Sequence, residues 1–308
     1  MKFRAIITCR NAEQWVEKCL RSVLEQQGGH DILIDFTDDA STDGTTERAE
    51  AAFFMEERAK NEIQFTSSHD VLSRDRKLTV NSRRFGALEN IWHAIQRSQD
   101  DEVCILIGGD DWLSSPEALS RIAREYESGD VWLTYGQQWP FGGQSVRARV
   151  MDSDKDARNH DFVWCNPLTW RAPLGKKIRR EDFCFADGTF FPSSGDVALT
   201  IPMIEMAGLE RIRCIEDVIY FYNLHDGNDG TVDKRLQDFC GWYARSKPKY
   251  HRLERLEDAP ELDTEETSPL EYGILFMPHS PDVAKTGLSY VDKTLKVGLM
   301  ERPQQVKL

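Results

Sequence analysis

Apolar residues in the first 136 positions follow two rhythms that alternate along the chain. Short, largely apolar runs at 3–7, 32–36, 103–107 and 131–135 end in polar or glycine-rich turns and read as buried strands. Between them apolar side chains recur at helical spacing. Trp15/Val16, Cys19/Leu20 and Val23/Leu24 form one stripe, and Phe85, Leu88, Ile91, Trp92 and Ile95 form another, within a helix predicted over 84–99. Strands and helices alternating in this way predict an α/β fold with a mostly parallel sheet and helices packed on it. Asn11, with Gln14 three residues later, predicts the cap of the first helix, and Gly28-Gly29 its end. Ser115 followed by Pro116 predicts the start of a helix reaching about Glu127. A helix to about Lys60 and a short strand at 63–66 complete this half.

After residue 136 the alternation stops. The stretch to about Ser194, rich in Trp, Arg, Gly and charge, is expected to be irregular and to carry specificity. Regularity returns with a helix over 195–207, bent or interrupted at Pro202, and a strand at 212–215. Residues 254–271 are acidic and punctuated by Pro260 and Pro269, which reads as a linker or solvated surface. An apolar run at 272–277 suggests that the last thirty or so residues dock back as a tail.

Composition narrows the options. A chain of 308 residues with 40% hydrophobic and 30% charged residues is globular, and no run approaches the ~18 apolar residues needed to span a bilayer. The first residues lack the apolar stretch of a secretory signal, so the expected location is the cytoplasm. Seven scattered cysteines without a C-x-x-C pair suggest neither a disulfide framework nor a zinc site. A net charge of −13 argues against a broad nucleic-acid footprint. The run Lys176-Lys177-Ile178-Arg179-Arg180 reads as solvated surface or as a patch for a phosphorylated acceptor.

In an open parallel sheet, ligands gather beyond the carboxyl ends of the strands. Asp38-Asp39 follows the second strand and Asp110-Asp111 follows the strand ending at residue 107, so two carboxylate pairs are expected at one rim. Carboxylates accept hydrogen bonds from a base or a ribose, and a pair can hold a hard divalent cation that neutralises a diphosphate. Alone, each pair reads equally well as a strand-to-helix turn with local capping.

The segments Ile6-Ile7-Thr8-Cys9-Arg10-Asn11, Cys19-Leu20-Arg21-Ser22-Val23-Leu24-Glu25-Gln26 and Asp38-Asp39-Ala40-Ser41-Thr42-Asp43-Gly44-Thr45 resemble, in order, the N-terminal pattern of family 2 glycosyltransferases. Arg84-Phe85-Gly86-Ala87 with Asn90, and Gly109-Asp110-Asp111, resemble that family's Arg/Asn helix and its Asp-x-Asp segment. The resemblance covers residues 3–136 strongly and 190–230 more weakly. It implies a GT-A fold, a Rossmann-like nucleotide-diphospho-sugar transferase sheet, over 1–240. Residues 1–136 would form the nucleotide-sugar part, 137–240 the acceptor and base part, and 241–308 an acidic linker and C-terminal extension. The implied activity is inverting, Mn²⁺- or Mg²⁺-dependent transfer from a nucleotide-sugar donor, UDP-sugar favoured, to a hydroxyl acceptor, with a glycan first and a modified nucleic-acid base second.

Position by position, the resemblance implies Thr8, Arg10, Asp39 and Arg84 near the base and ribose, and Asp110 near the ribose or sugar. It puts Asp111 on the metal with His225, and makes Asp196 the general base. Gly108 stands where many members carry a further Asp, Ala40 replaces the usual Gly, and Arg10 the usual aromatic. Two rivals remain at this point: a sugar nucleotidyltransferase, and a degenerate member that binds nucleotide or glycan without turnover. The first would need a Gly- and Arg/Lys-rich loop after the first strand, which Thr8-Cys9-Arg10-Asn11 is not.

Overall fold

The structure, a computed structural model, describes residues 1–60, 71–73, 75–141, 148–152 and 156–263. The strand expected at 63–66, the tail with its run at 272–277, and positions 264–271 of the acidic stretch lie outside the described residues. The elements run β1 (Lys2–Cys9), α1 (Val16–Leu24), β2 (Asp31–Asp38), α2 (Thr45–Lys60), β3 (Val71–Ser73), β4 (Arg76–Val80), α3 (Ala87–Arg97) and β5 (Glu102–Gly108). They continue with β6 (Trp112–Leu113), α4 (Ala118–Glu127), β7 (Leu133–Phe141), β8 (Cys165–Arg171), α5 (Ala172–Lys176), α6 (Gly195–Ala207), β9 (Ile212–Asn223), α7 (Asp229–Val232) and α8 (Lys234–Arg245).

The nine strands of the described residues form one sheet in the order β3-β4-β2-β1-β5-β8-β7-β9-β6. The neighbours β4-β2-β1-β5 are parallel, β8 runs antiparallel between β5 and β7, and β7 pairs parallel with β9. Alternation within the central strands separates two cores. Phe3, Ala5 and Ile7 of β1 and Val103, Ile105 and Ile107 of β5 pack against α1 and α4 on one face. Ile6 and Cys104 point to the other face, into α3, α6 and the Trp170 indole of β8. Eleven consecutive residues of α6, from Val197 to Ala207, are buried. A helix apolar on all sides belongs inside the protein, and α6 runs through Pro202 as a single helix.

Several boundaries differ from the sequence reading for local reasons. Asn11 does not cap α1, which starts at Val16 without a side-chain cap. Instead Asn11 adopts a left-handed backbone (φ 53°), accepts the Thr42 amide at 2.9 Å and donates its own amide to Ser41, which stitches the loop after β1 to the loop after β2. The helix expected from residue 84 begins at Ala87, because Gly86 stands at φ 96° ahead of it. The stretch expected to be irregular contains β8, and β9 is three times the expected length, with its solvent-facing Glu216-Asp217-Val218 interrupting the apolar pattern. Position 240, the expected end of the catalytic unit, falls inside α8, and Tyr250 and Leu253 are buried in the α6-side core. Arg158 fastens that segment: its guanidinium pairs with Glu205 at 2.6 Å and donates to the carbonyls of Ala244, Arg245, Lys247 and Pro248.

Register positions the site. Cys9 lies opposite Asp38, and Thr8 opposite Gly108, so β1, β2 and β5 end level and their following loops share one rim.

Candidate active site

Asp38 and Asp39 are adjacent but do different work. Asp38 is fully buried and closes its own turn, accepting from the Ser41 amide at 2.9 Å and from the Thr46 hydroxyl. Asp39 points across the rim to the start of α3, where one oxygen accepts from the Phe85 amide (2.8 Å) and Asn81 Nδ2 (2.9 Å) and the other from the Gly86 amide (2.8 Å). Burial pushes its carboxyl up, but the Phe85 amide, the Asn90 and Asn81 side chains and the Gly86 amide outweigh it and hold the group below the usual carboxylate range. A helix N-terminus suits an anion, so Asp39 is pinned in its ionised form.

The glycines at the end of β5, Gly108 and Gly109, sit in tight space. A Cβ on Gly109 would lie 2.1 Å from that of Cys9, and one on Gly108 would lie 2.8 Å from both Asp110 Oδ1 and Asp111 Oδ2. The departure at Gly108 is therefore the space into which this chain folds its two carboxylates. Asp111 turns inward: it is 3% exposed, and its oxygens accept from the Tyr220 hydroxyl at 2.7 Å and the Asn223 amide at 2.8 Å. Burial and the neighbouring Asp110 charge push its carboxyl well above the usual range. Each oxygen of Asp111, the metal ligand expected from the sequence, thus already accepts one hydrogen bond from β9. Asp110 takes the outward position. Its Oδ2 lies 2.7 Å from His225 Nε2 and 3.5 Å from Asn228 Nδ2. The Gly227 amide donates to His225 Nδ1 at 3.1 Å, so Nε2 carries the ring hydrogen and donates it to Asp110.

These groups surround a cleft of about 270 Å³. Thr8, Arg10, Asp39, Arg84, Asp110 and His225 all line it. Neither Arg10 nor Arg84 forms an ion pair with a described residue, and both are exposed and line the cleft beside the two carboxylates. Asp111 and Asp196 are not part of its lining. Asp196 occupies the exposed first turn of α6, where its charge bears on Cys165 and Arg245. Its neighbour Gly195 packs against α3, where an added Cβ would meet Leu88 at 3.1 Å, and the residue before Leu88, Ala87, lines the cleft.

Three contributors escaped the sequence reading. Trp15, taken there for a core residue, lines the cleft and stacks on His225 with ring centroids 4.3 Å apart. Tyr220 and Asn228 orient Asp111 and Asp110 from positions more than 100 residues away in sequence. The turn signal Asp226-Gly227-Asn228 was the only local hint of the last. The basic run at 176–180 is partly consumed, with Lys176 on Asp100 and Arg179 on Asp182. A larger concavity of about 600 Å³ lies outside α1 against β6, but its charges are largely paired among themselves, Arg21 with Glu17 and Glu25, and Lys18 over the Trp112 ring.

Among the described residues no group of three or more His, Cys, Asp or Glu is arranged to hold a metal. Asp110 and His225 offer one oxygen and one nitrogen, donors that suit Mn²⁺ or Mg²⁺ when a ligand's phosphate oxygens complete the sphere. For a cation to take Nε2, the ring hydrogen would have to move to Nδ1, and the Gly227 amide contact would have to open.

A sheet of this order, with a charged cleft at the carboxyl ends of β1, β2 and β5, defines a GT-A α/β protein. The chain belongs to glycosyl transferase family 2, whose profile matches residues 5–185. Among solved structures, residues 1–349 of TarS from S. aureus in complex with UDP-GlcNAc match with a TM-score of 0.51 at 16% identity, over 74% of this chain and 60% of that one. Glucosyl-3-phosphoglycerate synthase from Mycobacterium tuberculosis, in complex with Mn²⁺, UDP and phosphoglyceric acid, matches with a TM-score of 0.51 at 14% identity, over 85% and 86% of the two chains. The chain thus spans less than two thirds of the TarS chain. No curated protein matches it by sequence. No helix among the described residues is long and apolar enough to cross a membrane.

Proposed function

We propose that this glycosyltransferase moves a sugar from a nucleoside-diphosphate donor, UDP favoured, to a hydroxyl acceptor with inversion at the anomeric carbon. The observation that carries the proposal is the convergence of Asp39, Arg10, Arg84, Asp110 and His225 on one cleft in a family 2 fold. UDP or UDP-GlcNAc in the neighbouring structures supports the choice of nucleotide.

In this reading Thr8 and Arg10 approach the base, and Asp39, held ionised at the start of α3, accepts a base N–H or a ribose hydroxyl. Arg84 and Arg10 bring positive charge to the diphosphate, which a guanidinium fork matches well. Asp110 and His225 would hold Mn²⁺ or Mg²⁺, whose charge would offset that of the departing diphosphate. Asp111 acts indirectly, by fixing the loop that presents Asp110. Asp196 takes the proton from the acceptor hydroxyl as that oxygen bonds to the anomeric carbon and the bond to the diphosphate breaks on the opposite face. The Arg245 guanidinium is near enough for its charge to interact with that of Asp196. A glycan hydroxyl is the first choice of acceptor, and a modified nucleic-acid base the second. The division into a donor part, an acceptor part and a C-terminal extension stands as part of this proposal.

A second reading, nucleotide binding without turnover, is favoured by one observation: Asp196 does not line the cleft. NMR of a panel of UDP-sugars incubated with the protein and Mn²⁺ separates the two. Transfer or slow hydrolysis with inverted anomeric configuration is expected, and Asp196→Asn should lower the rate by about 10²–10⁴-fold while UDP still binds. No turnover of any donor would favour the binding protein, and an Asp196→Asn protein with near-normal rate would remove the base assignment.

A further inference from the structure

We propose that Trp15 is a positioning residue for the cation end of the cleft: it holds the His225 ring in the plane from which Nε2 meets Asp110, and so sets the affinity of that pair for a divalent ion. The inference rests on the Asp110–His225 assignment made above and extends it to a residue on a different element.

His225 lies on the loop after β9, where an imidazole is free to rotate unless its faces are covered. Its edge is held by Asp110 at Nε2 (2.7 Å) and by the Gly227 amide at Nδ1 (3.1 Å), and its own amide donates to Asn228 Oδ1 at 2.7 Å. These bonds fix the backbone and the rim of the ring. The broad contact on its face is the Trp15 indole, stacked at 4.3 Å with 26° between the planes. Gly227 sits close to the Nδ1 edge, where an added Cβ would lie 3.0 Å from both Cε1 and Nδ1 of His225.

Trp15 is a firm wall. It is the N-cap residue of α1, its amide donates to the Ala12 carbonyl at 2.9 Å, and its carbonyl accepts from the Cys19 amide at 2.9 Å. Val16, Cys19, Leu20 and Val23 anchor the same helix in the core. Nothing in chain position ties residue 15 to residue 225; the stack is the link between α1 and the loop after β9. Groups that orient a metal-binding histidine without touching the metal commonly change affinity by about 10–100-fold when removed.

The test is Mn²⁺ binding by the full chain, read from the EPR signal of free aqueous Mn²⁺, with saturating UDP. Wild type, Trp15→Ala, Trp15→Phe and His225→Ala are compared, with a thermal melt for each. Trp15→Ala is expected to weaken Mn²⁺ by about 10–100-fold and Trp15→Phe, which keeps an aromatic face, to recover most of the loss. The positioning role is overturned if Trp15→Ala binds Mn²⁺ like wild type, or if Phe and Ala weaken it equally. If wild type itself takes up no Mn²⁺, or His225→Ala loses none, the cation assignment fails, an outcome distinct from failure of the Trp15 role.

Discussion

The central strands gather carboxylates at both of their ends, and the two ends behave in opposite ways. At the amino-terminal end Arg4 bridges Asp35 (2.9 Å) and Glu102 (2.7 Å), Arg97 adds a second contact to Asp35 (2.8 Å), and the Gln99 amide donates to Glu102. Asp35 is wholly buried and every charge has its partner. At the carboxyl-terminal end, just past β2, Asp39 lines a cleft with Asp110, Arg10 and Arg84, and neither arginine forms an ion pair with another described residue. The residue types are the same. What separates a structural cluster from a binding site is whether the chain itself completes the set of charges or leaves it to be completed by a ligand.

The contrast can be broken from either side. The largest expected effect is at the closed end, where Asp35→Ala takes one of two carboxylate partners from the buried Arg4 and the partner of the half-buried Arg97, and should cost about 3 kcal/mol in urea unfolding, with UDP affinity of the folded protein unchanged. Next, Asp111→Asn removes an acceptor from either the Tyr220 hydroxyl or the Asn223 amide. A loss of about 1–3 kcal/mol is expected, again from denaturation, which would class Asp111 with the closed end despite its place at the open one. At the open end, replacing Arg10 and Arg84 by Ala should weaken UDP about 10-fold at low salt, with a smaller deficit in 0.5 M salt, while stability stays within about 0.5 kcal/mol.

The smallest effect concerns pH. A carboxyl held below its usual range contributes stability that is fully present above the ordinary carboxylate pKa and is lost as pH falls through the folded value. Asp39 is such a group. Below about pH 4, wild type should lose stability more steeply than Asp39→Asn, and matching acid limbs in the two unfolding profiles would contradict the assignment.

The open rim was legible because its parts are local. An apolar strand delivering Asp38-Asp39 into a polar turn, and another ending in Gly108-Gly109-Asp110-Asp111, announce themselves within a few residues. Which of Asp110 and Asp111 turns inward was not legible. It depends on Tyr220 and Asn223, which β9 brings beside β6, and no local pattern encodes which of two adjacent carboxylates will be drawn inward. β8 was hidden for a similar reason: Asn166 and Pro167 break its apolar run, and its strand identity comes from pairing with β5 and β7. Trp15 fitted the helical stripe so well that its second use, on His225, left no trace in the periodicity.

The most direct test of the open rim as the donor site is calorimetric titration of UDP into wild type and Asp110→Asn, each with and without Mn²⁺. The account predicts that wild type binds UDP more tightly with Mn²⁺ and that Asp110→Asn, still folded, loses the Mn²⁺ enhancement. Equal Mn²⁺-enhanced binding by both proteins, or no binding of UDP by wild type, would contradict it.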